Sequence, residues 1–183
     1  MSSQKTTLTA DQLLCLPDDG YRYELVKGEL SKVPFGGALH GAVAARIGNV
    51  LLDYVKRDRL GVVLAAGTGF WTERNPDTVR APDAAFIPNE RIPEGGLPAG
   101  FFEGPPDIAV EVVSPSDTAV EVQAKVEEWL QTGVRLVWVV YPEPRSVTVF
   151  RSRTDVRMLT LTDELTGDDV LPGFTCNVQE LFQ

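Results

Sequence analysis

The segment Asp107-Ile-Ala-Val-Glu-Val-Val113 is apolar on both faces except at Glu111. Leu136-Val-Trp-Val-Val140 is apolar on both faces without exception. Strands of this kind must be covered on both sides, so they belong in the middle of a sheet. Between them Thr118-Ala-Val-Glu121 has the spacing of a capping box, and the helix it opens ends at Gly133. This pattern predicts an α/β fold: a central mixed sheet flanked by helices. It also poses a problem at Glu111. An ionised carboxylate buried without a partner costs several kcal/mol, so the chain must supply a cation, a hydrogen-bond network or a metal. The same problem recurs upstream. Read as one strand, Val79-Arg-Ala-Pro-Asp-Ala-Ala-Phe-Ile87 carries Asp83 on the face of Val79, Ala81, Ala85 and Ile87.

The remaining elements follow from local signals. Thr9-Ala-Asp-Gln12 is a second capping box and predicts a short helix through about Leu16. Tyr21–Val26, Lys27-Gly28 and Glu29–Val33 read as a tight hairpin. From Ala38 to Arg57, apolar residues recur on one helical face. Short strands are expected at Val62–Ala65 and Gly69–Glu73, with Asn75-Pro-Asp77 as a turn. The Pro- and Gly-rich stretch Pro88–Pro106 reads as a long surface loop, a lid or rim. Ser146–Phe150 and Val156–Leu161 read as a peripheral hairpin, and a short element closes the chain near Val178–Phe182.

The 183 residues suit a single domain, 1–183, with a real hydrophobic core. No apolar run approaches a membrane span, and Met1–Thr7 has no signal-peptide core. Cys15 and Cys176 form no metal-type pair, and two isolated cysteines point to a reducing, cytoplasmic setting. Net charge is −9, with no lysine- or arginine-rich run. Proteins that grip DNA over a long footprint usually show a basic face. Nucleic-acid binding here is therefore metal-dependent, confined to a small patch, or not the function.

Local readings of the polar residues leave alternatives. Asp83 and Glu111 could share a hard cation such as Mg²⁺ or Mn²⁺, which prefers carboxylate and carbonyl oxygens. They could instead cap loops or pair with a nearby arginine such as Arg80. Lys125 falls about 80° from the centre of its helix's apolar face, so its stem can run along the core towards the strand ends. The alternative for Lys125 is a surface pair with Glu121, helped by Glu128. Glu24 alternates with Tyr23 and Leu25, and by period alone is a solvated hairpin charge. His40, the only histidine, lies in the first turn of the long helix on its apolar side. A helix N-terminus disfavours its protonated form. Trp71, Trp129 and Trp138 fall in strand or helix patterns and read as core.

Taken in order, these segments carry a resemblance over nearly the whole chain. They are Asp18-Asp-Gly-Tyr-Arg-Tyr-Glu-Leu-Val-Lys-Gly-Glu-Leu30, His40, Arg80-Ala-Pro-Asp83, Pro106-Asp-Ile-Ala-Val-Glu-Val-Val-Ser-Pro-Ser116, and Lys125 ahead of Gly133–Val140. The chain resembles the PD-(D/E)XK nuclease superfamily, the restriction-endonuclease-like fold, and more narrowly its bacterial Uma-two family. Two departures stand out. Val113 occupies the position where the superfamily usually has lysine, and the resemblance assigns that role to Lys125 on the next helix. Where relatives often read Val-Asp-Pro, this chain has Val140-Tyr-Pro142.

The resemblance implies an endonuclease that uses Mg²⁺ (or Mn²⁺) to hydrolyse DNA. It makes Asp83, Glu111 and the main-chain carbonyl of Val112 metal ligands, and Lys125 a catalytic residue. Glu24 becomes a third acid, as a second-metal ligand or an outer partner of Lys125, and His40 a supporting residue. A homodimer is expected, because duplex DNA offers two related phosphates and the Ser146–Leu161 hairpin leaves an edge to cover. Two alternatives remain: a non-catalytic binding or assembly module on a nuclease fold, and a metal-dependent hydrolase of another phosphate substrate.

Overall fold

The computed structural model describes residues 7–183. The reading of the N-terminus as lacking a leader falls mainly on residues 1–6, outside the described residues. Among the described residues three α-helices, α1 (Ala10–Leu14), α2 (Ala38–Asp58) and α3 (Ala119–Thr132), are joined by thirteen strands. In chain order these are β1 (Arg22–Val26), β2 (Glu29–Val33), β3 (Gly61–Ala65), β4 (Phe70–Glu73), β5 (Thr78–Arg80), β6 (Ala84–Pro88) and β7 (Phe102–Glu103). They continue with β8 (Ile108–Val112), β9 (Leu136–Tyr141), β10 (Ser146–Phe150), β11 (Val156–Leu159), β12 (Glu164–Gly167) and β13 (Leu171–Asn177).

The main sheet has six strands in the order β11-β10-β9-β8-β6-β3. Only β8 and β9 run parallel, joined by α3 as a crossover helix. β8 is buried along its length and β9 from Leu136 to Val140, because both faces are covered. Ile108, Val110, Val112, Leu136, Trp138 and Val140 pack towards Val43, Ile47 and Leu51 of α2. Ala109, Val137 and Val139 pack towards Val126 and Trp129 of α3. Glu111 shares the parity of Ala109 and so faces α3. Both predicted capping boxes form, Thr9 with Gln12 and Thr118 with Glu121. Gly133 ends α3 in the left-handed region at φ 101°, which a side chain would disfavour.

Several expectations need correction. The stretch Val79–Ile87 is two strands, not one. Its first part is β5 in a second, five-stranded sheet, β2-β1-β5-β4-β7, and its second part is β6 in the main sheet. Pro82 sits at the break, where it has no N–H for a ladder and restrains Ala81 to extended backbone. Val79 therefore packs with Leu25 and Leu13, away from Ala85 and Ile87. The stretch Pro88–Pro106 is also more than a surface loop. It holds a 3₁₀ turn at Asn89–Arg91 and the strand β7, which pairs with β4 and buries Phe102.

The expected hairpin β10–β11 exists, but β10 is interior, paired on both sides, and only β11 is an edge. A further hairpin, β12–β13, was not anticipated. It adds Leu165, Leu171 and Phe174 to the α2-side core, and Phe174 stacks on Trp138 with ring centroids 5.6 Å apart. Among the described residues no helix is long and apolar enough to cross a membrane.

Candidate active site

The break at Pro82 shapes the site. Asp83 N–H donates to the Val110 carbonyl (2.8 Å), and β6 then pairs with β8 from Ala84 onward. On the other side of the break the strands part. There the Asp83 side chain stands in for a ladder carbonyl: its Oδ2 accepts from Val112 N–H at 2.7 Å. The same oxygen lies 3.3 Å from His40 Nε2, presented by the first turn of α2. Asp83 thus caps the end of β8, one residue beyond Glu111. Asp83 stands just before β6, the neighbour of β8, but the two acids were expected to converge on one ion, and here Asp83 engages His40 of α2 whereas Glu111 engages α3. Of the alternatives, neither acid pairs with Arg80, but Asp83 does act as a cap, through the Val112 N–H.

Glu111 points to the opposite helix and is 8% exposed. Its Oε2 lies 3.2 Å from Lys125 Nζ, and its Oε1 accepts from Trp129 Nε1–H at 2.8 Å. Lys125 and Trp129 are four residues apart on α3, so one helical face delivers both. The surface pair Lys125–Glu121 is not what holds the lysine. Glu121 closes the helix cap on Thr118, and Glu128 bonds to Arg80 Nε at 2.7 Å.

Glu24 departs most from its local reading. It is 5% exposed rather than solvated. One face of β1 is covered by α1 through Leu25, and the other turns Glu24 inward. Arg80 Nη1 donates to Glu24 Oε2 (2.6 Å), and Ala81 N–H donates to Oε1 (3.0 Å). Arg80, from β5, thereby ties the second sheet to α3 behind the site. Sequence reasoning gave Arg80 no such role, and it placed Trp129 in the core without noticing that its N–H needs an acceptor. The i,i+4 spacing from Lys125 was the available signal for Trp129; Arg80 was read as a possible partner of Asp83 or Glu111, and nothing pointed to Glu24 and Glu128 instead.

Burial dominates the electrostatics of Glu111 and pushes its carboxyl up to about 7. Lys125 pulls it down, Asp83 pushes it up, the Trp129 N–H favours the ionised form, and Glu24 adds a smaller push upward. The Glu111 carboxylate in turn raises the Lys125 ammonium. His40 is raised, chiefly by its hydrogen bond to Asp83. The helix N-terminus was expected to disfavour the protonated form of His40; the Asp83 carboxylate in contact acts in the opposite direction and favours it.

A prediction follows for the metal-free protein. Between the usual glutamate value of 4.5 and about 7, the folded state keeps a proton that the unfolded chain has released. Folding stability therefore falls as pH rises through that window. Chemical denaturation in EDTA from pH 4.5 to 7.5 should show a decline in wild type that is shallower in Glu111→Gln. Equal slopes would mean that Glu111 titrates normally.

The donors suit a hard cation in kind. Asp83 and Glu111 offer carboxylate oxygen at the end of β8, and Glu111 is an acid whose burial calls for positive charge. Among the described residues no group of three or more His, Cys, Asp or Glu side chains forms a metal cluster. A bound ion would therefore draw its remaining ligands from main-chain oxygen and water, which Mg²⁺ accepts readily.

A mixed sheet whose central strands part at a capping aspartate, with a buried glutamate and a helix-borne lysine beside it, defines a restriction-endonuclease-like α/β protein. The chain belongs to the Uma2 family, described as "Putative restriction endonuclease", whose model matches residues 10–179. Among solved structures it is similar to a "putative nuclease belonging to DUF820" from Anabaena variabilis, with a TM-score of 0.82 and 22% identity. That match covers 96% of this chain and 97% of the other, and it establishes the shared fold. No curated protein matches.

Proposed function

We propose that the chain is a Mg²⁺-dependent endonuclease that hydrolyses phosphodiester bonds in DNA. The observation that carries this reading is the contact of Glu111 with Lys125 beside the splayed strand end that Asp83 caps. Asp83, Glu111 and the Val112 carbonyl would hold the ion. Bound Mg²⁺ supplies Lewis-acid polarisation of a phosphate and a more acidic water. The chain's own groups do the rest. Trp129 fixes the rotamer of Glu111, and the Val112 N–H and His40 fix Asp83. Lys125 keeps an ammonium where it can orient the attacking water and offset charge on the phosphate. The Glu111 carboxylate first, and Glu24 (held by Arg80) after it, raise the Lys125 ammonium.

A second reading has one observation in its favour. Glu111 already has a partner for each oxygen, as a purely structural ion pair would, so the fold could serve as a non-catalytic module. Metal linkage separates the two. At a Mg²⁺ concentration of 100 Kd, mass action adds about 2.7 kcal/mol to stability, and Asp83→Asn should lose most of that gain. Thermal melts with and without Mg²⁺, read beside cleavage of plasmid DNA, test this. Equal Mg²⁺ stabilisation of wild type and Asp83→Asn would place the ion elsewhere, and no cleavage of any nucleic acid by wild type would favour the module. A homodimer belongs to the same proposal, with the β11 edge and its exposed Val156 and Met158 as the face to be covered. Light scattering should give twice the chain mass.

A further inference from the structure

A cleft of about 630 Å³ opens between α2 and β3, and Asp83 and His40 form part of its wall. Its size falls within the range of about 300–1,000 Å³ typical of small-molecule sites. Its lining is mostly apolar or small. Phe35 stands at the wall with 74% of its surface exposed. Among the described residues Arg22 is the single lysine or arginine in the lining, and Asn49 contributes a carboxamide. On the α2 face a Cβ placed at Gly41 would meet nothing within 4 Å, and one at Gly48 would just touch Ala84 Cβ at 4.0 Å.

These features specify a ligand chemistry. A duplex held by its backbone needs many phosphates neutralised, but this chain carries a net charge of −9 and the cleft offers one guanidinium. An unstacked base needs something else: an aromatic surface to lie on, an amide that can meet its hydrogen-bonding edge, and one cation for the adjoining phosphate. Phe35, Asn49 and Arg22 supply those three, and the cleft leads to Asp83. We propose that the cleft is a subsite for one unstacked nucleobase of the substrate strand, next to the phosphate being cut. The proposal rests on the nuclease reading and narrows it to strands that are single-stranded or locally opened at the cleavage point.

The test uses a single-stranded DNA oligonucleotide carrying 2-aminopurine, titrated with full-length protein in Ca²⁺ and read by fluorescence. Wild type should change the probe's emission on binding, and the same probe annealed to its complement should bind at least about tenfold more weakly. One lost base contact is worth about 1–3 kcal/mol, so Phe35→Ala should raise Kd about 5- to 160-fold. Gly48→Leu, which fills the cleft, should do likewise. Phe35 is exposed, so its variant reports on binding even if Gly48→Leu folds poorly. Unchanged affinity in Phe35→Ala, equal affinity for paired and unpaired probe, or no binding by wild type would overturn the subsite. Mn²⁺-dependent cleavage of plain DNA by wild type is scored separately. Cleavage with unaltered binding in Phe35→Ala removes the cleft and keeps the nuclease. Weakened binding in Phe35→Ala, without cleavage by wild type, keeps the cleft as a nucleotide site and removes the nuclease.

Discussion

Arg80→Met should destabilise the fold by about 3–5 kcal/mol, the usual cost of removing one partner from a buried ion pair. Arg80 has a side-chain exposure of 13% and Glu24 of 7%, so neither charge can turn to water for compensation. With the guanidinium gone, Glu24 keeps one hydrogen bond, from the Ala81 N–H, and the more distant charge of Lys125. Its options are to stay ionised and poorly paired, or to take up a proton. Either costs free energy at neutral pH. Glu128, at 32% exposure, can rotate to solvent and should contribute little of the loss. Urea unfolding measures the effect, and a double variant supplies the control. Arg80→Met combined with Glu24→Met replaces the pair by apolar groups of similar length, so most of the stability should return. If Arg80→Met alone costs under about 1 kcal/mol, Arg80 and Glu24 are paired too loosely to organise the site.

That ion pair also marks where sequence reasoning stopped. The β8-α3-β9 unit was legible because its signals are local: apolar runs, a capping box and a terminal glycine lie within about forty residues. The second sheet was legible only in its parts: the β1–β2 hairpin and the strand at Gly69–Glu73 were expected, but not their joining through β5 or the addition of β7. The strands β5 and β7 are three and two residues long, too short for a period, and β7 reaches β4 across a long connection. The β12–β13 hairpin is irregular between Thr166 and Gly167, which breaks the alternation that would have announced it. The site divides in the same way. Glu111 and Asp83 showed themselves as charges in apolar surroundings, and Lys125 by its position on a helical face. Arg80 had no such contrast. In sequence it is one more strand-end arginine, and only the crossing of two sheets and a helix makes it the partner of Glu24 and Glu128.

Lys125→Met should lower metal-dependent DNA cleavage about 10²–10³-fold, the loss typical when one group that stabilises developing charge is removed. Methionine keeps the stem that packs along α3 and deletes the ammonium 3.2 Å from Glu111 Oε2. The substitution has a second consequence, because Lys125 is the chief group that pulls the Glu111 carboxyl down against its burial. Without it, Glu111 holds its proton to higher pH, and a cation must displace that proton to bind. Loss of activity at pH 7 could then reflect weaker metal binding as well as a missing catalytic group. Assays at pH 8.5 with saturating Mn²⁺ separate these effects, since alkaline pH and the bound cation both favour the Glu111 carboxylate but neither can restore the ammonium. Calorimetric titration at that pH should find Mn²⁺ affinity near wild type in Lys125→Met and sharply reduced in Glu111→Gln, while neither variant cuts DNA appreciably. Full recovery of cleavage at pH 8.5 would show that Lys125 serves only to keep Glu111 ionised. In that case the attacking water must be oriented by another group, and His40 beside Asp83 becomes the next residue to replace.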